Sequence, residues 1–385
     1  MIFDMTKRAG GGGDPNPTAD GTKDVIFIDY DGTVRYSYST AEFLALTALP
    51  ANPTHTDMGL TAEGWNWTLA GAQAYVTKYK RLEIGQTYTT TSGATEIDIV
   101  LQKGRLSPTV GIGLNGTVSI DWGDSTTPDT VTGTNKNTVL YTLHTYSAPG
   151  SYTIKISRTS GTYYIMGDNT KGSWLICKDS SATEVQNYPY RDAVKAVRFG
   201  SNCEINGNYN LKYMGIKYAT IPRSMAVTGS GHAAAFFKGC MGVNTVVYPY
   251  GWTTGFNIFS DETQVFSVSL PETSTATDFG YAFRSNSRLS RLSIPDSATK
   301  FGIATVSNCN GLTILYIPQG VTQILSQFYL NGLKELHFTS ATPPTLDAAY
   351  SLPTDCTIYV PTGKLTAYTT ADNYPDPNTY TYVEE

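Results

Sequence analysis

The feature that most constrains this chain is a pattern in its C-terminal half, apolar-x-x-apolar-x-apolar. It recurs at Val194/Val197/Phe199, Ile216/Ala219/Ile221, Val243/Val246/Tyr248, Val265/Val268/Leu270, Leu289/Leu292/Ile294, Leu312/Leu315/Ile317 and Leu333/Leu336/Phe338. The last positions of these triplets lie 22, 27, 22, 24, 23 and 21 residues apart, and Val360 adds one more step of 22. Such a period predicts a solenoid, one short strand per coil, in which each coil buries its apolar edge only against its neighbours. Proline follows the last apolar residue at Pro222, Pro249, Pro271, Pro295, Pro318 and Pro361. It ends the strand there, because it has no N–H for the next ladder bond.

Three residues before the first apolar position stand Cys240, Glu262, Asn286, Cys309 and Leu330, often with Phe or Val three earlier (Phe237, Phe259, Phe283, Val306). Small polar or Cys side chains at such corners can bond backbone as the chain turns inward, so Cys240 and Cys309 are expected to be structural. The strand position between the last two apolar residues points away from the coil core. It forms a column of Arg198, Thr220, Val247, Ser269, Ser293, Tyr316, His337 and Tyr359. Of these, Arg198, Tyr316, His337 and Tyr359 are the expected ligand-binding residues, since aromatic faces and exchangeable hydrogen bonds suit recognition of sugars or proteins.

The N-terminal half is built differently. Ala9-Gly-Gly-Gly-Gly-Asp-Pro-Asn-Pro17 is a flexible tether behind a peptide too short to bury a core, which leaves a disordered tail or an anchor that folds into a larger assembly. Val25–Ile28, the turn Asp29-Tyr-Asp-Gly-Thr33 and Val34–Tyr38 predict a hairpin. Ser39–Leu46, with Thr40 as N-cap, and Thr68–Lys80, with Leu69, Ala72, Tyr75 and Val76 on one face, predict helices. From Ala94 to Ser160 alternating strands such as Glu96–Leu101, Val118–Trp122 and Tyr152–Ile156 predict a β-sandwich. Low charge, 15% of residues, and Tyr supplying 27 of the 46 aromatic side chains agree with β structure.

Val118-Ser-Ile-Asp-Trp-Gly-Asp-Ser125 with His144-Thr-Tyr-Ser-Ala-Pro-Gly-Ser-Tyr152 resembles the PKD-type immunoglobulin-like family. The resemblance implies that Trp122, Asp124, His144 and Tyr146, with Gly123, Gly150 and Tyr152, are framework residues. Leu289-Ser-Arg-Leu-Ser-Ile-Pro295 and Asn308-Cys-Asn-Gly-Leu-Thr-Ile-Leu-Tyr-Ile-Pro318 resemble BspA-like leucine-rich repeats. Thr342–Leu346, Asp355–Pro361 and Ala367–Ala371 are similar to that family's closing unit. The expected fold is thus mainly β and multidomain. It comprises a tether over 1–22, a small α+β module over 23–93, a PKD-like sandwich over 94–160, a connector and N-terminal cap over 161–192, a leucine-rich-repeat solenoid over 193–341 and a capping unit over 342–385.

BspA-like proteins are mostly adhesins, which implies binding. The first ten residues lack an apolar core of 7–15 residues, so no secretion signal is expected. The whole combination resembles tail- or head-associated virion proteins of bacteriophages of anaerobic gut bacteria, which assemble in the host cytoplasm and are released by lysis. It implies partners among other virion proteins through the N-terminal region and a host surface glycan or protein through the repeats, with a homo-oligomer compatible. A bacterial cell-surface adhesin is the alternative. A net charge of −5 gives no basic face for nucleic acid. No stretch is long and apolar enough for membrane insertion.

Val25-Ile-Phe-Ile-Asp-Tyr-Asp-Gly-Thr33 resembles the start of haloacid-dehalogenase phosphotransferases, where Asp29 would be nucleophile and Asp31 general acid. Only about 60 residues follow before the next domain, too few for a doubly wound sheet, so a hairpin turn with Gly at a positive-φ position is expected. Asp121, Asp124 and Asp129 admit a Ca²⁺ loop or a polar turn, and the turn is the expectation. His55, His144, His232 and His337 lack metal-ligand spacing, and five scattered cysteines have no CxxC. No enzyme, cofactor or metal is therefore expected, a polysaccharide-degrading activity being the remaining rival.

Overall fold

A computed structural model describes residues 22–228, 236–249, 265–274, 276–326, 328–348 and 352–385. The tether up to residue 21, the corner positions Phe259 and Glu262, and His232 lie outside the described residues. The fold is mainly β, and its C-terminal half is a solenoid.

Val25–Ile28 (β1) and Val34–Tyr38 (β2) pair antiparallel around the expected turn, where Gly32 takes a φ of 88°. That left-handed value costs glycine no Cβ clash. Helix α1, Thr40–Leu44, is capped by Ser39 and not by Thr40. Glu42 lies three residues after Ser39, so hydroxyl and carboxylate bond each other's backbone N–H groups in a capping box. Strand β3, Leu60–Trp65, is followed by helix α2, Leu69–Tyr79, capped by Thr68. Strand β4, Leu82–Thr90, then completes a sheet ordered β2-β1-β4-β3, with β1 and β4 parallel. Val25, Phe27, Leu82 and Ile84 on one face pack with Phe43, Trp65 and Val76.

Strands β5, Thr95–Leu101, β6, Thr109–Asp121, β7, Asp129–Leu143, and β8, Gly150–Ile165, pair antiparallel, and Ile97, Ile99, Val118, Ile120, Ile154 and Ile156 alternate inward. The structure corrects the expected boundaries here. Residue 160 falls inside β8, whose end pairs parallel with Cys203–Asn206, while β5 pairs antiparallel with Val194–Arg198. A terminal coil has no neighbour on one side, and β5 supplies the missing ladder. One eight-stranded sheet and one apolar core therefore join the presumed sandwich to the solenoid. Helix α3, Glu184–Asp192, with its own Thr183/Gln186 capping box, leads into the first coil.

The apolar triplets fill the solenoid core, and their strands at Thr245–Val247 and Ser267–Ser269, and at Ile314–Ile317, Glu335–Phe338 and Thr357–Val360, stack parallel. Several coils carry two strands, however, and not the one expected. A second parallel row runs through Lys300–Phe301, Gln323–Ile324 and Thr345–Leu346. Beyond Pro295, Pro318 and Phe338 the chain turns, and Phe301, Ile324 and Leu346 of the second row join the same apolar core. Thr299, Thr322 and Thr345 hydroxyls each donate to a carbonyl one coil back, at 3.3, 3.3 and 3.2 Å. At the corners the buried Cys240 and Cys309 thiols donate to Leu211 O and Phe283 O. Burial pushes both thiols up to about 12, which keeps them protonated donors. Thr381–Glu384 adds a last parallel strand beside Thr357–Val360.

The N-terminal module folds back onto the solenoid. β4 is buried on both faces: Leu82 and Ile84 face the module core, while Glu83, Gly85 and Thr87 meet the outer strand face of the coils. Asn66, Trp67 and Tyr75 donate to Tyr248 O, Leu270 O and Ile294 O at 2.9, 2.8 and 2.8 Å. These are the carbonyls just before Pro249, Pro271 and Pro295, three coils bridged in succession. Arg291 donates to Glu83 Oε1 at 2.8 Å and to Lys23 O and Asp24 O at 2.8 and 2.7 Å, which ties down the start of the module.

Gly85 sets the closeness of this contact. A Cβ there would lie 2.4 Å from Val247 Cγ1 and 2.9 Å from Ser269 Cβ. Gly85→Val is therefore expected to destabilise the chain by about 1–3 kcal/mol through overpacking, read as a lower urea midpoint. A Gly85→Val midpoint equal to the parent's would show that β4 does not lie on the coils.

Candidate binding surface

The outward column does not form one open face. At Val194–Arg198 the guanidinium of Arg198 is buried and bonded to Glu96 and Asp98 of β5 and to the Tyr218 hydroxyl. Two carboxylates take its charge, so Arg198 is a joint between β5 and the first coils and not an exposed binding residue. Thr220, Val247 and Ser269 are buried beneath the module, and Ser293 bonds Arg81 O. Pointing away from the coil core differs from facing solvent once another element covers that face.

The cover ends at Tyr316, whose ring touches Tyr79 of α2 with centroids 6.4 Å apart. Beyond it the register places Tyr316, His337, Tyr359 and Val383 side by side on four successive strands. The His337 ring is stacked between its neighbours, 4.1 Å from Tyr316 at 17° and 4.2 Å from Tyr359 at 4°. His337 is buried, with Nδ1 2.7 Å from Glu385 Oε1 and Nε2 3.3 Å from Glu335 Oε2. Tyr316 and Tyr359 are half-buried and Val383 is exposed. Because the rings use their faces on one another, what they offer a ligand is edges and phenol hydroxyls, with carboxylates alongside.

The residues expected as framework lie together at the end of β6. Trp122 is fully buried, its indole N–H donates to Asp129 at 2.8 Å, and its ring stacks on His144 at 4.7 Å. His144 Nε2 pairs with Asp124 Oδ2 at 2.8 Å, and the Tyr146 hydroxyl donates to Trp122 O at 2.8 Å. Asp121 and Asp124 each accept from their own turn, at Gly123 N and Thr126 N. Among the described residues no group of three or more His, Cys, Asp or Glu is placed to hold a metal ion. Among them, too, no helix is long and apolar enough to cross a membrane.

Asp29 and Asp31 part company in space. Asp31 is exposed on the turn and accepts from Thr33 N at 2.9 Å. Asp29 is fully buried and surrounded by four donors: Tyr30 N and the Tyr88 hydroxyl, both at 2.8 Å, Arg35 Nε at 2.8 Å and His55 Nε2 at 2.7 Å. This cluster escaped the sequence reading because its members come from a turn, two strands and a loop; the apolar-run-then-Asp pattern was its one local sign. It is a polar knot that ties the hairpin to β4. The Tyr30 ring also touches Tyr218 of the second coil, centroids 4.8 Å apart.

Comparison with known proteins adds the following. Residues 233–345 match the model of the BspA type leucine rich repeat region, in 6 copies. The chain thus carries BspA-like leucine-rich repeats. A leucine-rich repeat protein from Bacteroides ovatus is similar at 19% identity and a TM-score of 0.31, over 48% of this chain and 57% of that one. No curated protein matches the chain.

Burial alone would raise the Asp29 carboxyl, but His55, Tyr88 and Arg35 outweigh it and hold its pKa below the ordinary 3.8. A carboxylate lowered in the folded state stabilises fully above its unfolded pKa, and that contribution is lost as pH falls through the folded one. Urea midpoints are therefore expected to fall as pH is taken from about 5 to 3, and Asp29→Asn is expected to flatten part of that slope. An unchanged slope in Asp29→Asn would contradict the assignment.

Proposed function

We propose that this chain is a non-enzymatic adhesion protein, built into a bacteriophage particle through its N-terminal region and touching a host surface glycan or protein through its repeats. The observation that carries the reading is the BspA type repeat region over residues 233–345, a repeat that buries its core between coils and leaves its outer strand rows for contact. The rows at Tyr316, Tyr359 and Val383 are the part of the outer strand face beyond the docked module, and they supply the contact residues. On this reading the PKD-like strands brace the first coil, and the module holds the particle end of the chain against the side of the solenoid. A bacterial cell-surface adhesin fits the same repeats equally well; the two readings differ in where the chain resides.

Mass spectrometry of purified virions and of host envelope fractions separates them. The proposal expects the chain in virions together with known structural proteins, and its presence in envelopes of uninfected cells alone would overturn the phage reading. For the contact itself, Tyr359→Ala is expected to weaken binding of the purified chain to host cells about tenfold, the effect of losing one central aromatic anchor. Undiminished binding would remove the C-terminal rows from the interface.

A further inference from the structure

Among the described strands β7 pairs with β6 alone, so its other edge is open. The register fixes which backbone groups point there. His144 donates its N–H to Pro108 O, while Thr109 and Gly111 give theirs to Cys177 O and Trp174 O, away from β7. Bonded and unbonded pairs alternate along an antiparallel ladder. The bonded pairs are therefore Val110/Thr142 and Ile112/Leu140, and the N–H and C=O groups of Val139, Tyr141 and Leu143 point to the open edge. The side chains of these three share the outer face of the sheet, because Leu140 between them packs on the core. Tyr141 and Leu143 are exposed. The run Val139-Leu-Tyr-Thr-Leu143 has no charge and no proline, the devices that ordinarily blunt a sheet edge. Just before it Gly113 faces Val139 and Leu114 faces Asn135, so residues 136–138 bulge out of the ladder.

We propose that this edge pairs with the same edge of a second copy of the chain, antiparallel about a two-fold axis at Tyr141. Val139 then faces Leu143 of the other copy, Tyr141 faces its own counterpart, and the outward backbone groups close three bonded pairs of a new ladder. The apolar triplet favours a second copy over an unrelated strand: aliphatic at both ends and aromatic in the middle, it reads alike in both directions, as a two-fold contact requires. The axis has one good place. Centred on Val139, the ladder would run into the bulge; centred on Leu143, it would set Tyr141 against Thr145. On the inner face Leu140 falls opposite Thr142 of the other copy, so no like charges meet within the pairing. Lys136 in the bulge lies outside the paired run, held over the Tyr164 ring at 5.7 Å. A pairing of five residues, about 17 Å long, buries less than the roughly 800 Å² per partner of a standard interface, so the dimer is weak and concentration-dependent. This contact goes beyond the adhesion reading and does not rest on it.

Sedimentation velocity of the full chain from about 1 µM to about 1 mM tests this, and the expected result is a passage from monomer to dimer within that range. Tyr141→Lys sets two ammonium groups directly opposite each other at the axis and is expected to weaken dimerisation at least about tenfold. Single cysteines test the register, since the native thiols are all buried. At Tyr141→Cys the two introduced thiols face each other within disulfide reach. At Leu143→Cys they lie four positions apart along the ladder, about 14 Å, beyond that reach. With diamide as oxidant, Tyr141→Cys is expected to cross-link into a covalent dimer at least about tenfold faster than Leu143→Cys. A chain that stays monomeric throughout, as it would if the edge took a strand of a different protein, overturns the proposal. So does a dimer that Tyr141→Lys leaves intact, or equal cross-linking of the two cysteine variants.

Discussion

The contact on which the rest of this structure depends is the crossing of β4 over the outer strand face of the coils. A solenoid coil satisfies its apolar core by stacking, yet its outer strand face stays open unless something covers it. Here the chain covers it with itself. Gly85 lets the strand approach Val247 and Ser269 without a side chain between them, and the buried Glu83 accepts from Arg291 through Oε1, the same arginine that holds the start of the module. The three side-chain donors from Asn66, Trp67 and Tyr75 fall on carbonyls that precede prolines. The prolines that end each strand thereby mark the row of acceptors the module uses.

The layout that results is not a string of beads. β5 closes the N-terminal end of the coil ladder, the module closes most of the outer face, and Thr381–Glu384 extends the sheet at the other end. Arg198 and the Asp29 knot mark the joints where these parts meet, each a charge fully surrounded by partners. What the module leaves open of the outer strand row is the part from Tyr316 onward, through Tyr359 to Val383.

Much of this was legible in the residues. The period of the apolar triplets located the coils because each inward position has to be apolar whatever lies outside. β1 and β2 were legible for the same local reason, and the corner cysteines stood out by their fixed offset. β4 was not, because Leu82-Glu-Ile-Gly-Gln-Thr-Tyr-Thr-Thr90 alternates like a strand with one wet face, and a polar face buried against another element has no local signature. The destiny of the outward column was missed for the same reason. One sign of it was available: the column is small or β-branched at Thr220, Val247, Ser269 and Ser293 and turns aromatic at Tyr316, where the module stops.

The most direct test of the docked arrangement is a double-mutant cycle on the pair that spans it, Glu83→Gln and Arg291→Met, read by urea unfolding of the full chain. The account predicts a coupling energy of about 1 kcal/mol or more, as expected for a buried pair in contact. Effects that add to within about 0.5 kcal/mol, the behaviour of distant sites, would mean that β4 and the coils do not meet, and the closed outer face would have to be given up.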